Sequence, residues 1–333
     1  MRVVKVLIGI AILVGVAVLG GYQYWQSRLA APIALDQTTV YEVPEGAGFT
    51  RIIHELEARG IIDAVWPYRV LAKLSPDKAN GLHAGEFELD PGMSGNEMLA
   101  RLSSNNVVSY QLTIPEGWTF AEMRHRLNDA PKLKHRTQGM SDEEVMAALG
   151  HGDEHPEGRF FPDTYRYHKG MTDLGVLRRA YERMAETLQN VWAQRQDDLP
   201  IDSAYEALIL ASLIESETGV PEERRQIAGV FTRRLERGMR LQTDPTVIYG
   251  MGKEYDGNIT RADLRRKTPY NTYVIDGLPP TPIAMPGAGA LRAAVNPAPG
   301  DALYFVARGD GSHYFSSTLA EHNAAVRRYI LNR

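Results

Sequence analysis

Two glutamates end an apolar run near the middle of the chain, in the segment Tyr205–Thr218. The run is apolar nearly all round a helix, which is typical of a helix buried inside a domain. At about 100° per residue, Glu217 shares a stripe with Leu210 and Leu213. Glu215 lies roughly opposite. The two carboxyls are therefore not predicted to serve one site as a close pair.

Glu217 has the surroundings expected of a general acid. A carboxyl on an apolar face at a helix C-terminus is driven toward its protonated form, because desolvation and the negative helix end both disfavour the carboxylate. Such a group can donate its proton to a leaving group near neutral pH. We therefore predict that Glu217 is catalytic. For Glu215 we prefer the alternative, a structural glutamate paired with a buried arginine or with backbone amides.

Polar and aromatic side chains follow this helix in three segments, at 239–250, 270–273 and 277–287. Prolines hold the last segment in an extended, rigid path. Aromatic faces with amide, hydroxyl and carboxylate groups suit a sugar chain, whose hydroxyls need paired donors and acceptors. An irregular structural loop with satisfied polar groups is the alternative. The predicted substrate-binding residues are Gln242, Thr243, Asp244, Tyr249, Asn271 and Tyr273.

The elements that must hold these residues show helical spacing, helix caps and a turn signal. They are a helix from Thr172 to about Asp197, a helix from Pro221 to Gly238, a hairpin of Leu303–Ala307 and His313–Ser317, and a last helix from about Thr318.

The polar, histidine-rich stretch from Asn128 to Gly170 is interpreted as a connector. Ser141 and Glu144 match the pattern of a capping box and predict a short helix. Scattered surface histidines are far commoner than metal ligands, so we predict no metal and no cofactor. The aromatic, turn-rich stretch Glu157–Tyr165 could line a groove or wedge two domains together.

A repeated pattern occupies the first third of the chain. Val43–Phe49 and Ile114–Phe120 each predict a strand that ends in a Pro/Gly turn and leads into a short amphipathic helix. A looser copy begins at Pro91–Ser94. One interpretation is a structural scaffold, because such units must pack on one another to bury their faces. The other is a small polysaccharide-binding module of the LysM type.

The N-terminus predicts a membrane anchor. Arg2 and Lys5 precede an apolar run from Val6 to Gly21, and tyrosine and tryptophan follow at the far end. This order of charge, apolar span and aromatic belt is typical of a membrane helix whose basic end stays in the cytoplasm. A cleaved signal peptide is the alternative, although Ala30–Pro32 makes a poor cleavage site.

Composition excludes several classes of protein. With 37 Lys and Arg against 41 Asp and Glu, the net charge of −4 gives no reason to expect nucleic-acid binding. The absence of cysteine excludes disulfides, thiolate nucleophiles and cysteine-based metal sites. A length of 333 residues predicts about two globular domains.

The predicted fold is α+β, with a single transmembrane helix at 1–29, LysM-like strand–helix repeats at 30–130, and a connector with a mixed helix and strand catalytic domain at 131–333.

Together these segments closely resemble the YceG-like endolytic murein transglycosylases, and the resemblance covers nearly the whole chain. Glu157–Gly158 and Phe161–Tyr165 also look like that family's. The matching motifs are Ala211–Thr218, Val230–Leu235, Gly238–Tyr249, Tyr270–Tyr273, Gly277–Pro280 and Leu303–Val306.

The resemblance implies that Glu217, the second glutamate of the Glu-x-Glu pair, is the catalytic acid. It implies cleavage of the MurNAc-β-1,4-GlcNAc bond in nascent peptidoglycan, with formation of 1,6-anhydro-MurNAc ends, by a single-pass protein of the bacterial inner membrane with its catalytic domain in the periplasm. The expected partners are glycan strands, the membrane and peptidoglycan synthases. Two alternatives stay open: a hydrolytic muramidase, with Asp244 as second carboxylate, and a non-catalytic cell-wall-binding scaffold.

Overall fold

The computed structural model describes residues 2–331, and these residues form a mixed α+β fold, as predicted. The chain divides into two compact units. The first unit extends up to Tyr110 and includes His168–Gly170; the second comprises Gln111–Tyr167 and the chain from Met171 onward. The domain boundaries proposed at 29/30 and 130/131 stay a prediction.

The first unit contains one long helix, four short helices and a two-stranded sheet. Its elements are α1 (Arg2–Ala30), β1 (Thr39–Val43), α2 (Phe49–Ala58), α3 (Trp66–Leu74), α4 (Pro76–Asn80), β2 (Gly85–Leu89) and α5 (Gly95–Leu102).

Helix α1 is the one helix in residues 2–331 that is long and apolar enough to cross a membrane, with a mean hydropathy of 2.7 over its most apolar stretch. Its apolar side chains as far as Leu19 are exposed. Its last turns differ, because Trp25 and Leu29 are buried among residues of the first unit's core. The indole N–H of Trp25 donates to the carbonyl of Pro67 at 2.8 Å. The C-terminal end of α1 is therefore part of the folded unit.

The strand–turn–helix pattern predicted from the repeats is present three times. Strand β1 leads into α2, and β2 leads into α5. Strand β3 (Ser109–Thr113), which pairs with β4 (Thr164–His168), leads into α6 (Phe120–Asn128). Strands β1 and β2 are antiparallel. Tyr41 and Phe87 are paired across them, and both residues are buried. Helix α5 begins at a capping box formed by Ser94 and Glu97.

The second unit is mainly helical and has a hairpin before its last helices. Besides α6, its elements are α7 (Asp142–Leu149), α8 (Asp173–Ala193), α9 (Ala204–Glu217), α10 (Arg224–Glu236), α11 (Asp244–Met251), α12 (Ala288–Val295), β5 (Tyr304–Ala307), β6 (His313–Ser316) and α13 (Leu319–Val326).

Helix α9 lies at the centre of the second unit. Eight consecutive residues, Ala207–Ile214, are buried, and α8, α10, α11 and α12 all pack against this helix. The apolar character on every side of the predicted helix is thereby explained. Ser203 caps its start by accepting a hydrogen bond from the amide of Glu206.

Several predicted boundaries shift. Thr172 caps α8 as expected, but the helix ends at Ala193 rather than near Asp197, and the following chain turns through a left-handed residue, Asp198, with φ 58°. Pro221 opens a 3₁₀ turn, and the regular helix α10 starts at Arg224. Helix α11 lies in the 239–250 segment, for which no helix was predicted.

Candidate active site

Glu217 is the last residue of α9, and the chain leaves the helix at Thr218, whose backbone is extended. The side chain of Glu217 is partly buried, and its carboxyl accepts a hydrogen bond from the hydroxyl of Thr243. A glutamate at the end of a buried helix is thereby brought against the loop that precedes α11.

The pKa of Glu217 is raised from 4.5 to about 7, chiefly because burial removes water from the carboxylate. The hydrogen bond from Thr243 and the imidazole of His313 lower the pKa, while the carboxylate of Asp244 raises it. A carboxyl with this pKa can both hold and release a proton near neutral pH, as a general acid that later acts as a base must.

Two buried threonines, Thr246 and Thr272, hold Thr243, the hydrogen-bond partner of Glu217, in place. The amide of Thr243 donates to the hydroxyl of Thr272 at 3.0 Å, and the hydroxyl of Thr246 donates to the carbonyl of Thr243 at 2.7 Å. The hydroxyls of Thr246 and Thr272 are 2.9 Å apart. All three residues are at most 1% exposed. The hydroxyl that contacts Glu217 is thus held in place by the interior.

Asp244 and Tyr273 form the open side of the site. Asp244 is exposed and is the first residue of α11, where a carboxylate is favoured by the helix N-terminus. The phenol of Tyr273 donates to Asp244 at 2.6 Å. Burial and then the bond to Asp244 raise the pKa of Tyr273, and Glu217 contributes in the same direction. Two exposed or half-exposed polar groups therefore lie beside the carboxyl of Glu217.

Gln242 is held in a strained conformation. Its φ of 52° places a non-glycine residue in the left-handed region, which is uncommon and tends to occur at functional sites. The backbone amide of Gln242 donates to the carbonyl of Thr272 at 3.2 Å. Its side-chain oxygen accepts a hydrogen bond from the buried guanidinium of Arg234 at 3.2 Å. The left-handed turn at Gln242 places the hydroxyl of Thr243 within hydrogen-bond distance of Glu217.

Two predicted binding residues point elsewhere. Asn271 is 1% exposed, and its amide nitrogen donates to the carbonyls of Asp263, Leu264 and Arg266 at 2.8–3.3 Å. Tyr249, on α11, donates its hydroxyl to Glu157 at 3.0 Å. The structure thus brings Glu217, Thr243, Asp244 and Tyr273 together, with Gln242 next in the chain.

Glu215 has the partners predicted for a structural glutamate. Its carboxylate accepts from the guanidinium of Arg224 at 3.1 Å and from the amide of Gly287 at 2.9 Å. Burial raises the pKa of Glu215, and these two bonds oppose that change. The carboxyl of Glu116 also lies against Gly287, so that a Cβ added there would require the Glu116 side chain to move.

Some residues of this region were missed in the sequence. Arg234 lies seven residues after Ile227 and three after Phe231, so it falls on the apolar face of α10. A charged residue on that face could have been recognised from the sequence as a buried arginine. His313 shares a face of β6 with Phe315, and both contact the ring of Phe305.

Glu157, like Glu215 and Glu217, is a carboxyl of raised pKa in this unit. It is 4% exposed, and it accepts from the amide of Phe120 at 2.9 Å as well as from Tyr249. Burial raises its pKa from 4.5 to about 7, and the two bonds only partly offset that rise. A buried glutamate was not among the predicted binding residues.

Glu157→Gln is expected to flatten the loss of stability between pH 5 and pH 8. The folded chain holds a proton at Glu157 that the unfolded chain has released, so stability falls as pH rises from 4.5 through about 7. The effect is on the order of 2 kcal/mol. Melting temperatures of the full chain in detergent at both pH values measure it. Glu186→Gln, at an exposed position on α8, is the control. An unchanged pH dependence in Glu157→Gln would contradict the assignment.

A partly buried carboxyl of raised pKa, bonded to a fixed hydroxyl and flanked by exposed polar groups, defines an acid–base site on a mixed α+β scaffold. The chain belongs to the YceG-like family, whose profile matches residues 41–328.

The relatives of this chain include named enzymes. It is 30% identical over 335 residues to the endolytic murein transglycosylase of Bacillus subtilis (strain 168), covering 95% of this chain and 92% of that protein. It is 27% identical over 350 residues to the endolytic murein transglycosylase of Streptococcus pneumoniae serotype 2, of which the match covers 62%. The crystal structure of a YceG-like protein from Listeria monocytogenes aligns with a TM-score of 0.56 at 30% identity, covering 87% of this chain and 99% of that one.

Proposed function

We propose that this chain is an endolytic peptidoglycan lytic transglycosylase that cuts the MurNAc-β-1,4-GlcNAc bond within nascent strands and so limits their elongation. The observation that carries the proposal is the carboxyl of Glu217, with a pKa of about 7, bonded to Thr243 beside exposed Asp244. The names of the bacillar and streptococcal relatives support the enzyme class.

One carboxyl suffices for the proposed reaction. Glu217 donates its proton to the glycosidic oxygen, and the C1–O bond breaks with its electron pair leaving on that oxygen. The resulting carboxylate then takes the proton of the muramoyl C6 hydroxyl while that oxygen bonds to C1, which gives the 1,6-anhydro end and returns the proton to Glu217. No water is consumed. An ordinary glycosidase would need a second carboxylate placed for water or for a covalent intermediate.

The neighbouring residues are proposed to act in two ways. Gln242 and Asp244 are exposed, and Tyr273 is half-exposed, so they can contact the sugar directly. Thr243 orients Glu217. Asn271 and Tyr249 are assigned a positioning role, because Asn271 joins the 263–266 loop to the amide of Tyr273 and Tyr249 joins α11 to Glu157. Asp244 is bonded to Tyr273, which favours orientation of the sugar over activation of water.

Product analysis separates the proposal from its alternatives. Purified glycan strands incubated with the full chain in detergent are expected to yield internal cleavage products with 1,6-anhydro-MurNAc ends, read by mass spectrometry. Incubation in H₂¹⁸O should leave those ends unlabelled. Reducing MurNAc ends carrying ¹⁸O would indicate a hydrolytic muramidase. Strand binding without cleavage would indicate a cell-wall-binding scaffold.

We further propose that α1 is a single-pass anchor in the bacterial inner membrane and that both units lie in the periplasm, where association with a peptidoglycan synthase would bring glycan to the site. The support is the exposed apolar surface of α1 as far as Leu19, the basic residues Arg2 and Lys5 at its start, and the exposed Tyr22 and Tyr24 after its apolar stretch.

Replacing the chain up to Gly21 with a cleavable secretion signal is expected to give a released protein that cuts isolated strands but does not replace the full chain in cells. The anchor concentrates the enzyme on glycan that emerges at the membrane. Tyr22 onward is kept, because Trp25 and Leu29 belong to the core of the first unit. The matched control substitutes an unrelated apolar membrane helix for residues 6–21 and should restore function. Full rescue by the released form would overturn the anchoring proposal.

We propose that the first unit binds glycan as a LysM-like module. Its support is that β1 and β2 pair antiparallel and that the chain connecting them is helical, with α2, α3 and the short α4. The repeated Pro/Gly turns that lead into α2 and α5 give this unit the same local construction twice.

A further inference from the structure

The turn between β3 and α6 is attached to the end of α9 by contacts within the second unit. The amide of Gly117 donates to the carbonyl of Met285 at 2.9 Å, and the amide of Met285 donates to the carbonyl of Trp118 at 2.7 Å. Two residues further along the chain, the amide of Gly287 donates to Glu215 at 2.9 Å, in the last turn of α9. Hydrogen bonds therefore connect this turn to the last turn of α9.

An ion pair makes the same connection a second time. The guanidinium of Arg224 lies 3.2 Å from the carboxylate of Glu116, in the turn, and 3.1 Å from the carboxylate of Glu215. The side chain of Arg224 is only 15% exposed, so solvent screens these contacts less than it screens pairs on an open surface. Because Glu217 follows Glu215 by two residues, the turn lies at the end of α9 that carries the proposed catalytic acid.

The residues that follow the turn are also fixed. Thr119 begins α6 with a capping box. The amide of Phe120 donates to the buried carboxyl of Glu157 at 2.9 Å, and the ring of Phe120 stacks on that of Phe160 with a centroid distance of 4.9 Å. The backbone of Trp118 is therefore held on both sides.

The side chain of Trp118 has no comparable partner. It is half-buried, and among residues 2–331 its indole N–H has no hydrogen-bond acceptor and its ring has no aromatic or cationic neighbour. Each of the other tryptophans has one: Trp25 donates to Pro67, Trp66 stacks on Tyr24, and Arg195 lies over the ring of Trp192. The ring and the donor of Trp118 are therefore available to a ligand.

The three copies of the strand–turn–helix pattern show what is unusual at this position. In each copy a glycine of positive φ, which is Gly46, Gly92 or Gly117, is followed by one residue and then by the N-cap of the helix. In the first unit the intervening residue is Ala47 or Met93, and both pack against the core of that unit. The turn can therefore be built without an indole, which occurs only in the copy that belongs to the second unit.

We propose that Trp118 is a sugar-binding platform that stacks on one ring of the glycan strand away from the bond that is cut. The inference rests on the proposed function. An indole offers a flat apolar face to the C–H groups of a sugar ring and an N–H donor to a hydroxyl at its edge. Glu215 and Glu217 face different sides of α9, so the turn bonded to Glu215 does not contact the reacting atoms. A helix with its side chains is about 10–12 Å across, so one strand can reach both places.

A platform away from the cleaved bond acts on affinity rather than on turnover. It binds the substrate and the transition state equally, and such an interaction lowers KM without raising kcat. Only strands long enough to reach Trp118 gain from it. Trp118 would therefore give the enzyme a preference for long strands, as is expected of an enzyme that cuts within strands.

The test compares Trp118→Ala with the unaltered full chain in detergent. The substrates are purified long glycan strands and the shortest oligosaccharides that the unaltered chain cleaves. For long strands, KM is expected to rise by at least about 5-fold with kcat nearly unchanged, because one aromatic contact is lost from uniform binding. For the shortest oligosaccharides neither constant should change. Trp118→Phe keeps an aromatic face and should restore most of the lost affinity.

Trp192→Ala is the matched control. Its ring packs against the core around α9, so the melting temperature should fall while KM for long strands stays the same. Strand binding without cleavage is measured in Glu217→Gln, where adding Trp118→Ala should weaken the binding of long strands by the same factor.

Two results would overturn the inference and leave the proposed function intact. One is unchanged KM and unchanged binding of long strands in Trp118→Ala. The other is an equal rise in KM for long strands and for the shortest oligosaccharides. Absence of strand cleavage by the unaltered chain would instead overturn the proposed function, and the binding measurement would still decide whether Trp118 contacts glycan.

Discussion

Glu217→Gln is expected to reduce strand cleavage by at least about 10³-fold while the protein still folds and binds glycan. The amide is nearly isosteric with the carboxyl but can neither give a proton to the glycosidic oxygen nor recover one from the attacking hydroxyl, and each such transfer ordinarily contributes 10²–10⁴-fold. Single-turnover cleavage of purified strands, with strand binding measured separately, distinguishes lost chemistry from lost affinity.

The matched control for this prediction is Glu215→Gln, two residues away on the same helix. Glu215 is bonded to Arg224 and Gly287, so its replacement should lower the melting temperature more than Glu217→Gln does and reduce turnover less. Equal loss of turnover in both variants, with melting temperatures unchanged, would show that catalysis does not depend on one carboxyl.

Arg234→Met is expected to cause the largest loss of stability. The guanidinium of Arg234, which is 6% exposed, donates to the carbonyl of Leu303 at 2.7 Å and to those of Arg240 and Leu241 at 2.9 and 3.0 Å. Methionine retains much of the volume but leaves these buried carbonyls without a donor. A cost of about 3 kcal/mol follows, and for a domain of this size the melting temperature should fall by about 6–12 °C.

The rate of strand cleavage by Arg234→Met should fall as well. Arg234 holds the turn at 240–242, and this turn places Thr243 against Glu217. Arg237→Met, at an exposed position at the end of the same helix, is the control and should change the free energy of unfolding by no more than about 0.5 kcal/mol. A melting temperature for Arg234→Met equal to that of the control would refute this role for the buried guanidinium.

The central helix and its polar end could be predicted because both depend on local pattern. A long apolar segment with a serine before it and two carboxyls at its end specifies a buried helix and an unusual environment for Glu217. The separate fates of Glu215 and Glu217 also follow from helical geometry, since residues two apart cannot face the same direction.

The partners of Glu217 could not be predicted in the same way. Thr243 is 26 residues away in the chain, and its contact depends on the left-handed turn at Gln242 and on threonines from two segments. Helix α11 was not predicted, although Pro245 lies in its first turn, where proline is a helix-start signal. Asn271 shows the converse limit: a polar residue in a groove-like segment can be satisfied entirely by its own loop.

The burial of Trp25 and Leu29 at the end of α1 has a mechanical consequence. If α1 crosses the bilayer as proposed, the first unit is not suspended from a flexible tether, because the helix continues without a break into its core. Any tilt of the helix in the membrane would be transmitted to the β1–β2 sheet, and the sheet would stay at a fixed height above the lipid surface. If the first unit binds glycan as proposed, it would then reach only those strands that pass at that fixed distance from the membrane.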